Sequence, residues 1–430
     1  MNTQEDKKSF ARVNHPERRQ VEMMYHSLDQ LLYHDHQARL VWRFVQTLDV
    51  GPLYEHIQVS ATQAGRDATN PEVLLSLWLL ATLEGIGSAR ELARRCERDI
   101  PYMWICGGVG VNHHTLSDFR VQNGDFLEQL LIDGVTSLIH QGLVSLETIA
   151  QDGMRVRASA GTSSFRREPT LAKIQEEATA HVERLKAEGD SEASRQAGDA
   201  RRQAALERAA RERLERVNEA VETVKDLQQK REKRKKGTGH EARCSTTDPE
   251  SRRMKMANGG YNPAYNVQFA SDGDSRVIVA VEVTNEGSDG QQMVPMYEQV
   301  TSSYEPTPDK YVVDAAFATK NAVTELEQSK TKVVGPVPRA KEAVKNGKDP
   351  HQRQKNETEE FGNFRARMAD PHYTEILKMR PSQAEYPNAV CRNQGLQQFN
   401  VRGRLKVKAV VLWHALAFNL RRMINLGVVT

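Results

Sequence analysis

The sequence predicts an α+β protein in two unlike parts: an all-helical N-terminal region, then a mixed α/β region broken by a charged helical insertion. Three observations predict it. From Val21 to about Val144 every readable signal has helical character. At Glu147 the pattern changes to short apolar runs alternating with helical ones. Between about Arg166 and Lys236 the chain is almost entirely charge and alanine.

The chain has 430 residues, enough for two or three cored domains of about 100–200 residues each. With 60 Lys+Arg against 57 Asp+Glu the net charge is +3, which does not by itself announce a nucleic-acid partner. Four cysteines lie far apart with no CxxC pair. That argues against a zinc ribbon or a disulfide-rich secreted scaffold and for a reducing compartment. Residues 1–20 form a polar tail without the apolar core of a signal peptide. No window approaches the ~18 apolar residues needed to cross a bilayer. A soluble cytoplasmic protein with no membrane partner is expected.

Within the helical region, residues 21–145, the apolar spacing of 27–48 suits one long or two short helices. Asn70-Pro71-Glu72 supplies a cap, a proline at the first helical position and an acid in the first turn, with a stop at Gly85. Ser88 and Glu91 read as a capping box for a helix through Arg95, and Thr115 as the cap of Leu116–Arg120. Asp125 to His140 is amphipathic and stops at Gly142. A helix-turn-helix built from Ser88–Cys96 and Thr115–Arg120 is disfavoured, because that motif joins its helices in about 3–4 residues. His113-His114 has no second ligand at metal spacing and reads as a loop and helix cap.

Residues 146–430 form the second region. ETIAQD, then MRVRA, reads as one short β-type run; Asp272-Gly273-Asp274 joins 264–271 and 276–284 into a hairpin; KYVVDA and KVVGPV are compact strands separated by a helix at 319–328. Helices are expected at 288–300, 362–369, 380–396 and 404–426, the last with an apolar face at Val407, Val410, Val411, Ala415, Phe418, Leu420 and Met423. The insertion, about 160–258, carries apolar stripes at Leu171, Ile174, Ala178, Val182, Leu185 and at Leu206, Ala210, Leu214, Val217, Val221, Val224, Leu227, broken by Gly189 and Gly198. It reads as a helical hairpin ending in the basic run Lys230–Lys236. Without it, the order strand, strand, strand, helix, strand, helix, strand, helix is that of an RNase H-like core.

Three acids stand out by position. Asp152 closes the first strand, Asp314 closes the fourth, and Glu385 lies on a late helix. Adjacent strand ends with a helical glutamate beside them suit Mg²⁺, a hard cation that takes a few carboxylate oxygens and leaves room for phosphate. Two such ions about 3.5–4 Å apart can drive an in-line phosphoryl displacement.

These residues resemble the DDE-class transposases of bacterial insertion sequences, in the branch of insertion sequence families five and eleven-eighty-two. The resemblance rests on Asn70-Pro71, Leu83 through Arg90, His113 through Arg120, Thr247-Asp248-Pro249-Glu250, Tyr265-Asn266-Val267-Gln268, Val313-Asp314-Ala315, Arg380 through Gly395, Val401 through Arg404 and Ala417-Phe418-Asn419-Leu420. It implies a metal-binding catalytic triad at Asp152, Asp314 and Glu385, with Mg²⁺ or Mn²⁺ as cofactor. The family's basic residue seven positions after the glutamate falls on Arg392. Arg380 resembles its arginine ahead of the glutamate, here by five residues rather than four.

The resemblance further implies binding of double-stranded DNA at terminal inverted repeats, hydrolysis of phosphodiester bonds at the element's ends and strand transfer to target DNA, by a homo-oligomer associated with the nucleoid. The alternative is a relative that binds DNA without catalysis. From Tyr386 to Thr430 there is no acid, while Arg392, Arg402, Arg404, Lys406, Lys408, Arg421 and Arg422 give +7, leaving −4 for residues 1–385. Arg380, Arg392, Arg402, Arg404, Lys406 and Lys408 are therefore the expected DNA contacts.

Overall fold

In the computed structural model, residues 25–55, 57, 67–189 and 197–429 are described; the expected polar tail lies outside them. Eight helices come first: α1 Leu28–Leu31, α2 Gln37–Gln46, α3 Gly51–Glu55, α4 Pro71–Leu83, α5 Ala89–Arg98, α6 Ile100–Cys106, α7 His113–Gln122 and α8 Gly124–His140. The segment 27–48 thus forms two short helices. The α4 start follows its sequence: Asn70 Oδ1 accepts the Glu72 N–H at 2.7 Å, and Pro71 takes the first position. Two readings need correction. Helix α7 starts three residues before Leu116, because Asn112 and not Thr115 caps it, its Oδ1 accepting from the His114 and Thr115 N–H groups, both at 2.9 Å. Helix α6 was not expected, although Asp99-Ile100-Pro101 ahead of it and the left-handed Gly107 after it are ordinary boundary signals.

The strands are β1 Thr148–Arg157, β2 Phe165–Arg166, β3 Cys244–Ser245, β4 Arg252–Lys255, β5 Tyr261–Asp272, β6 Ile278–Thr284, β7 Lys310–Val312 and β8 Lys332–Val334. The β-type run expected from Glu147 is one strand, β1. It pairs along its length with antiparallel β5 and, over Thr148–Ala150 only, with parallel β7. The main sheet runs β4-β5-β1-β7-β8, with β6 also antiparallel to β5 and β8 parallel to β7. Since β4 belongs to this sheet, the insertion ends before Arg252 rather than near 258. Its body is a helical pair, α9 Glu168–Gly189 and α10 Ala197–Arg234, standing on the β2–β3 ribbon. Leu171 packs with Val221 and Val224, and Val182 and Leu185 with Ala210, in two small clusters, whereas Leu206 is exposed.

After β6 come α11 Met293–Ser303, α12 Lys320–Gln328, α13 Ala340–Lys345, α14 Glu359–Arg367, α15 Pro371–Arg380, α16 Tyr386–Asn393 and α17 Arg404–Asn425. Helix α15 was missed, although Asp370-Pro371 is a cap and first-position proline, with Asp370 Oδ1 accepting the His372 N–H at 2.9 Å. The expected apolar face of α17 is too narrow. The helix is buried on nearly every side, including His414 and Asn419, because β6 covers one flank and α4, α7 and α8 cover the others. One core therefore runs from Val41 and Leu79 through Trp413 and Phe418 to Val267 and Val281.

A polar clamp fixes α17 on the sheet. Asn419 Oδ1 accepts the Ile278 N–H at 2.8 Å, and Asn419 Nδ2 donates to the Ile278 carbonyl at 2.7 Å. Asn419→Ala leaves two buried backbone groups unpaired, each costing about 1–3 kcal/mol. A loss of about 2–5 kcal/mol in urea unfolding is expected, and a change within experimental error would exclude the clamp as a determinant.

Candidate active site

Asp152 lies in the middle of β1, not at its end as the sequence suggested. The reason is that β5 continues to pair with β1 through Arg157, while the parallel neighbour β7 stops at Val312. Asp152 is thus two residues beyond the last β1–β7 pair, Ala150↔Val312, and Asp314 is two residues beyond the same pair. Carrying that register forward sets the two acids level, at the carboxyl end of β7. Ligands of open α/β sheets bind at such strand ends.

Glu385 reaches the same place from a different element. Pro381–Glu385 is a π-helical turn between α15 and α16, in which the Tyr386 N–H donates to the Pro381 carbonyl five residues back. Prolines explain the break. Pro387 has no N–H to give the Gln383 carbonyl, and that carbonyl instead accepts the Ser271 hydroxyl at 2.7 Å, tying the turn to β5. In an α-helix, residues five apart lie roughly 140° from each other around the axis. The wider turn brings Arg380 and Glu385 to one side despite their five-residue spacing.

Arg380 joins two of the acids. Its Nη1 donates to Glu385 Oε1 at 2.9 Å and its Nη2 to Asp152 Oδ1 at 3.2 Å. Asn388, which the sequence reading missed, donates from Nδ2 to Asp152 Oδ2 at 2.9 Å. Its signal was spacing: it follows Glu385 by three residues, on the same helical face. The side chains of Arg380 and Asp152 are 12% and 20% exposed, and that of Glu385 is 52% exposed. Burial pushes the Asp152 carboxyl up from the usual aspartate range, and Arg380 offsets this only in part. Asp314 is exposed, and its Oδ1 accepts the Ala315 N–H at 2.7 Å without contacting the other two acids.

On the opposite face of β1, Gln151, Gly153 and Arg155 meet a buried polar network. Asp289 accepts from Asn266 at 2.7 Å, Gln268 at 3.0 Å and Arg155 at 2.8 Å. A Cβ on Gly153 would lie 2.3 Å from Gln268 Nε2, so only glycine fits beside Asp152. This gives Asn266 and Gln268 a physical role that the motif alone did not.

The other quoted motifs are joints. Arg120, buried over the Trp78 ring, donates to the Gly87 carbonyl, and Asn400 Nδ2 reaches the same carbonyl at 3.3 Å. Asp248 accepts the Tyr265 hydroxyl at 2.7 Å and the Gly403 N–H at 3.3 Å. Of the expected DNA contacts, Lys408 is engaged by Glu128 at 2.9 Å and Glu282 at 3.3 Å, and Arg404 has Glu250 at 4.0 Å. Arg402 donates to the Ser159 carbonyl at 3.3 Å. Arg392 and Lys406 are exposed, and Arg392 lines a cavity of about 430 Å³ with Gly153, Arg155 and Lys255.

This helical region joined to a mixed sheet is matched by two transposase families. The transposase domain (DUF772) matches residues 26–122 and the Transposase DDE domain matches residues 237–420. No curated protein and no solved structure matches the chain. The chain belongs to the DDE-class transposases of insertion-sequence type. Its family implies DNA as partner and divalent metals as cofactors. Asp314, Arg380 and Glu385 fall inside the DDE match, whereas Asp152 falls between the two matches and joins the site through β1–β5 pairing. No helix among the described residues is long and apolar enough to cross a membrane.

The raised Asp152 carboxyl has a consequence for pH dependence. An acid that is more easily protonated folded than unfolded lowers stability as pH rises from the unfolded value, near 3.8, through the folded one. Without metal, Asp152→Asn should gain thermal stability relative to the native chain across that interval and hold the gain at neutral pH. A difference that does not vary with pH would contradict the assignment.

Proposed function

We propose that this transposase binds the terminal inverted repeats of its element as double-stranded DNA, cleaves phosphodiester bonds at the ends and transfers the 3′-hydroxyls to target DNA. The observation that carries the reading is the junction at Arg380, where acids from β1 and from the turn after α15 meet one guanidinium. The order β6-β5-β1-β7-β8, three antiparallel members followed by two parallel ones, supports an RNase H-like core.

Asp152, Asp314 and Glu385 would hold Mg²⁺ or Mn²⁺. The donor set fits: all are hard carboxylate oxygens, and the charge on Asp152 is buried beyond what Arg380 compensates. Among the described residues no three such groups stand close enough to hold an ion as they are, so ion binding requires Asp314 and Glu385 to close on Asp152. When bound, the ions activate the attacking oxygen and stabilise the leaving one. Arg380 keeps Asp152 and Glu385 from repelling each other before the ions arrive. Asn388 fixes the Asp152 rotamer, and Arg392 offers a cation to the phosphate. Arg402, Arg404 and Lys406 would add backbone contacts, and the complex on DNA would be a homo-oligomer acting at the nucleoid.

Alanine at Asp152, Asp314 or Glu385 should reduce metal-dependent nicking of the cognate ends at least ~10³-fold while leaving duplex binding within about threefold. Mg²⁺ or Mn²⁺ should raise the melting temperature of the native chain and not that of Asp152→Asn. Nicking at native rates by Asp314→Ala would refute the triad.

A further inference from the structure

A second charged site lies away from the carboxylates, at the foot of the insertion. Five arginines, Arg167, Arg231, Arg243, Arg252 and Arg253, line one cavity of about 430 Å³, together with Tyr261, whose side is open to solvent. Its one acid, Glu241, is already taken by Arg231 at 2.6 Å. Arg252 is pinned by the Pro249 and Ser251 carbonyls at 2.6 and 2.9 Å. Among the described residues, Arg167, Arg243 and Arg253 have no carboxylate within ion-pair distance. The exposed run Lys230–Lys236 adjoins them at the end of α10. Gathering this much like charge raises the energy of the chain alone, and only an anion supplied from outside relieves it.

Strand β4 joins this cavity to a second basic one. Arg252 and Arg253 line the first cavity, and Lys255 lines the one shared by Gly153, Arg155 and Arg392. Met254 between them is buried, so Arg253 and Lys255 project from the same exposed face. Four strand residues span about 10–13 Å, the reach of two or three successive phosphates.

We propose that the cavity docks backbone phosphates of duplex DNA away from the cleaved position, with Arg253 and Lys255 of β4 as neighbouring basic contacts. The proposal rests on the transposase reading. Guanidinium groups grip phosphate oxygens bidentately, and such contacts position DNA without reading its sequence.

The test uses the full chain and a random-sequence duplex of ~40 base pairs, with affinity followed by anisotropy between about 50 and 200 mM salt. Arg243→Ala/Arg253→Ala should weaken binding roughly 10- to 100-fold and flatten the salt slope by about two, near 0.9 per lost phosphate contact. Lys345→Ala/Lys348→Ala, which removes the same charge elsewhere, should leave the slope unchanged. Arg243→Lys/Arg253→Lys should restore the slope, and a loss as large as with alanine would assign the effect to packing and overturn the proposal. An unchanged slope in the alanine pair, with the native chain binding normally, overturns this proposal alone. A native chain that binds no duplex overturns the transposase reading with it.

Discussion

Helix α17 is the constraint on which the two halves of the molecule depend. A helix apolar on every side cannot rest on one surface, and here it needs both β6 and the α4–α7–α8 assembly to exclude water from Trp413, Leu416 and Phe418. Each fully buried large side chain is worth about 1.5–3 kcal/mol, so neither half keeps its core if the other is removed. The helical region is therefore a wall of the catalytic half. Trp413 Nε1 donating to the Arg120 carbonyl at 3.0 Å, and Asn419 bracketing Ile278, add polar register to what burial alone would leave free to slide.

The same wall sets the far end of the catalytic turn. Gly395, which follows α16, approaches Gly85 so closely that a Cβ would lie 3.1 Å from its carbonyl oxygen. Gly85 ends α4, and Gly87 two residues on is held by Arg120 and Asn400. Thus α16, which begins after Glu385 and carries Asn388, is fixed at its tail by the helical region, and the turn ahead of it is fixed by the Ser271–Gln383 bond. These two anchors let the π-helical turn hold its geometry. Such turns are costly in isolation and recur where a side chain must be re-aimed.

Much of this was legible in the sequence, and the failures have physical causes. Caps, prolines and glycines located α4 and α8 because those signals act locally. The nearness of Asp152 and Glu385 was suggested by their positions in the sequence, and both meet Arg380. Asp152 was misplaced within β1 because strand length is set by the partner, and nothing in residues 148–157 reports that β7 stops at Val312 while β5 does not. The spacing of Arg380 looked irregular because sequence spacing assumes one helical pitch. The acid-free C-terminus was overread: much of it is α17, where acids are absent because the surroundings are apolar, and Lys408 is neutralised from two other elements.

Net charge illustrates the same limit. A mean of +3 over 430 residues hides opposed environments, and the linear blocks of charge do not coincide with the spatial ones. Arg167, Arg231, Arg243 and Arg253 are scattered over 87 positions of sequence, among acids that balance them on paper. Folding separates them from that balance: Glu232 turns back to cap the Gly237 and Gly239 N–H groups at 2.7 and 2.9 Å, and Asp248 is buried against Tyr265. The acids are consumed by the backbone and the core, and the arginines are left facing one space. Coulomb energy follows distance after folding, so the charge that selects a partner is the part the fold has not already used.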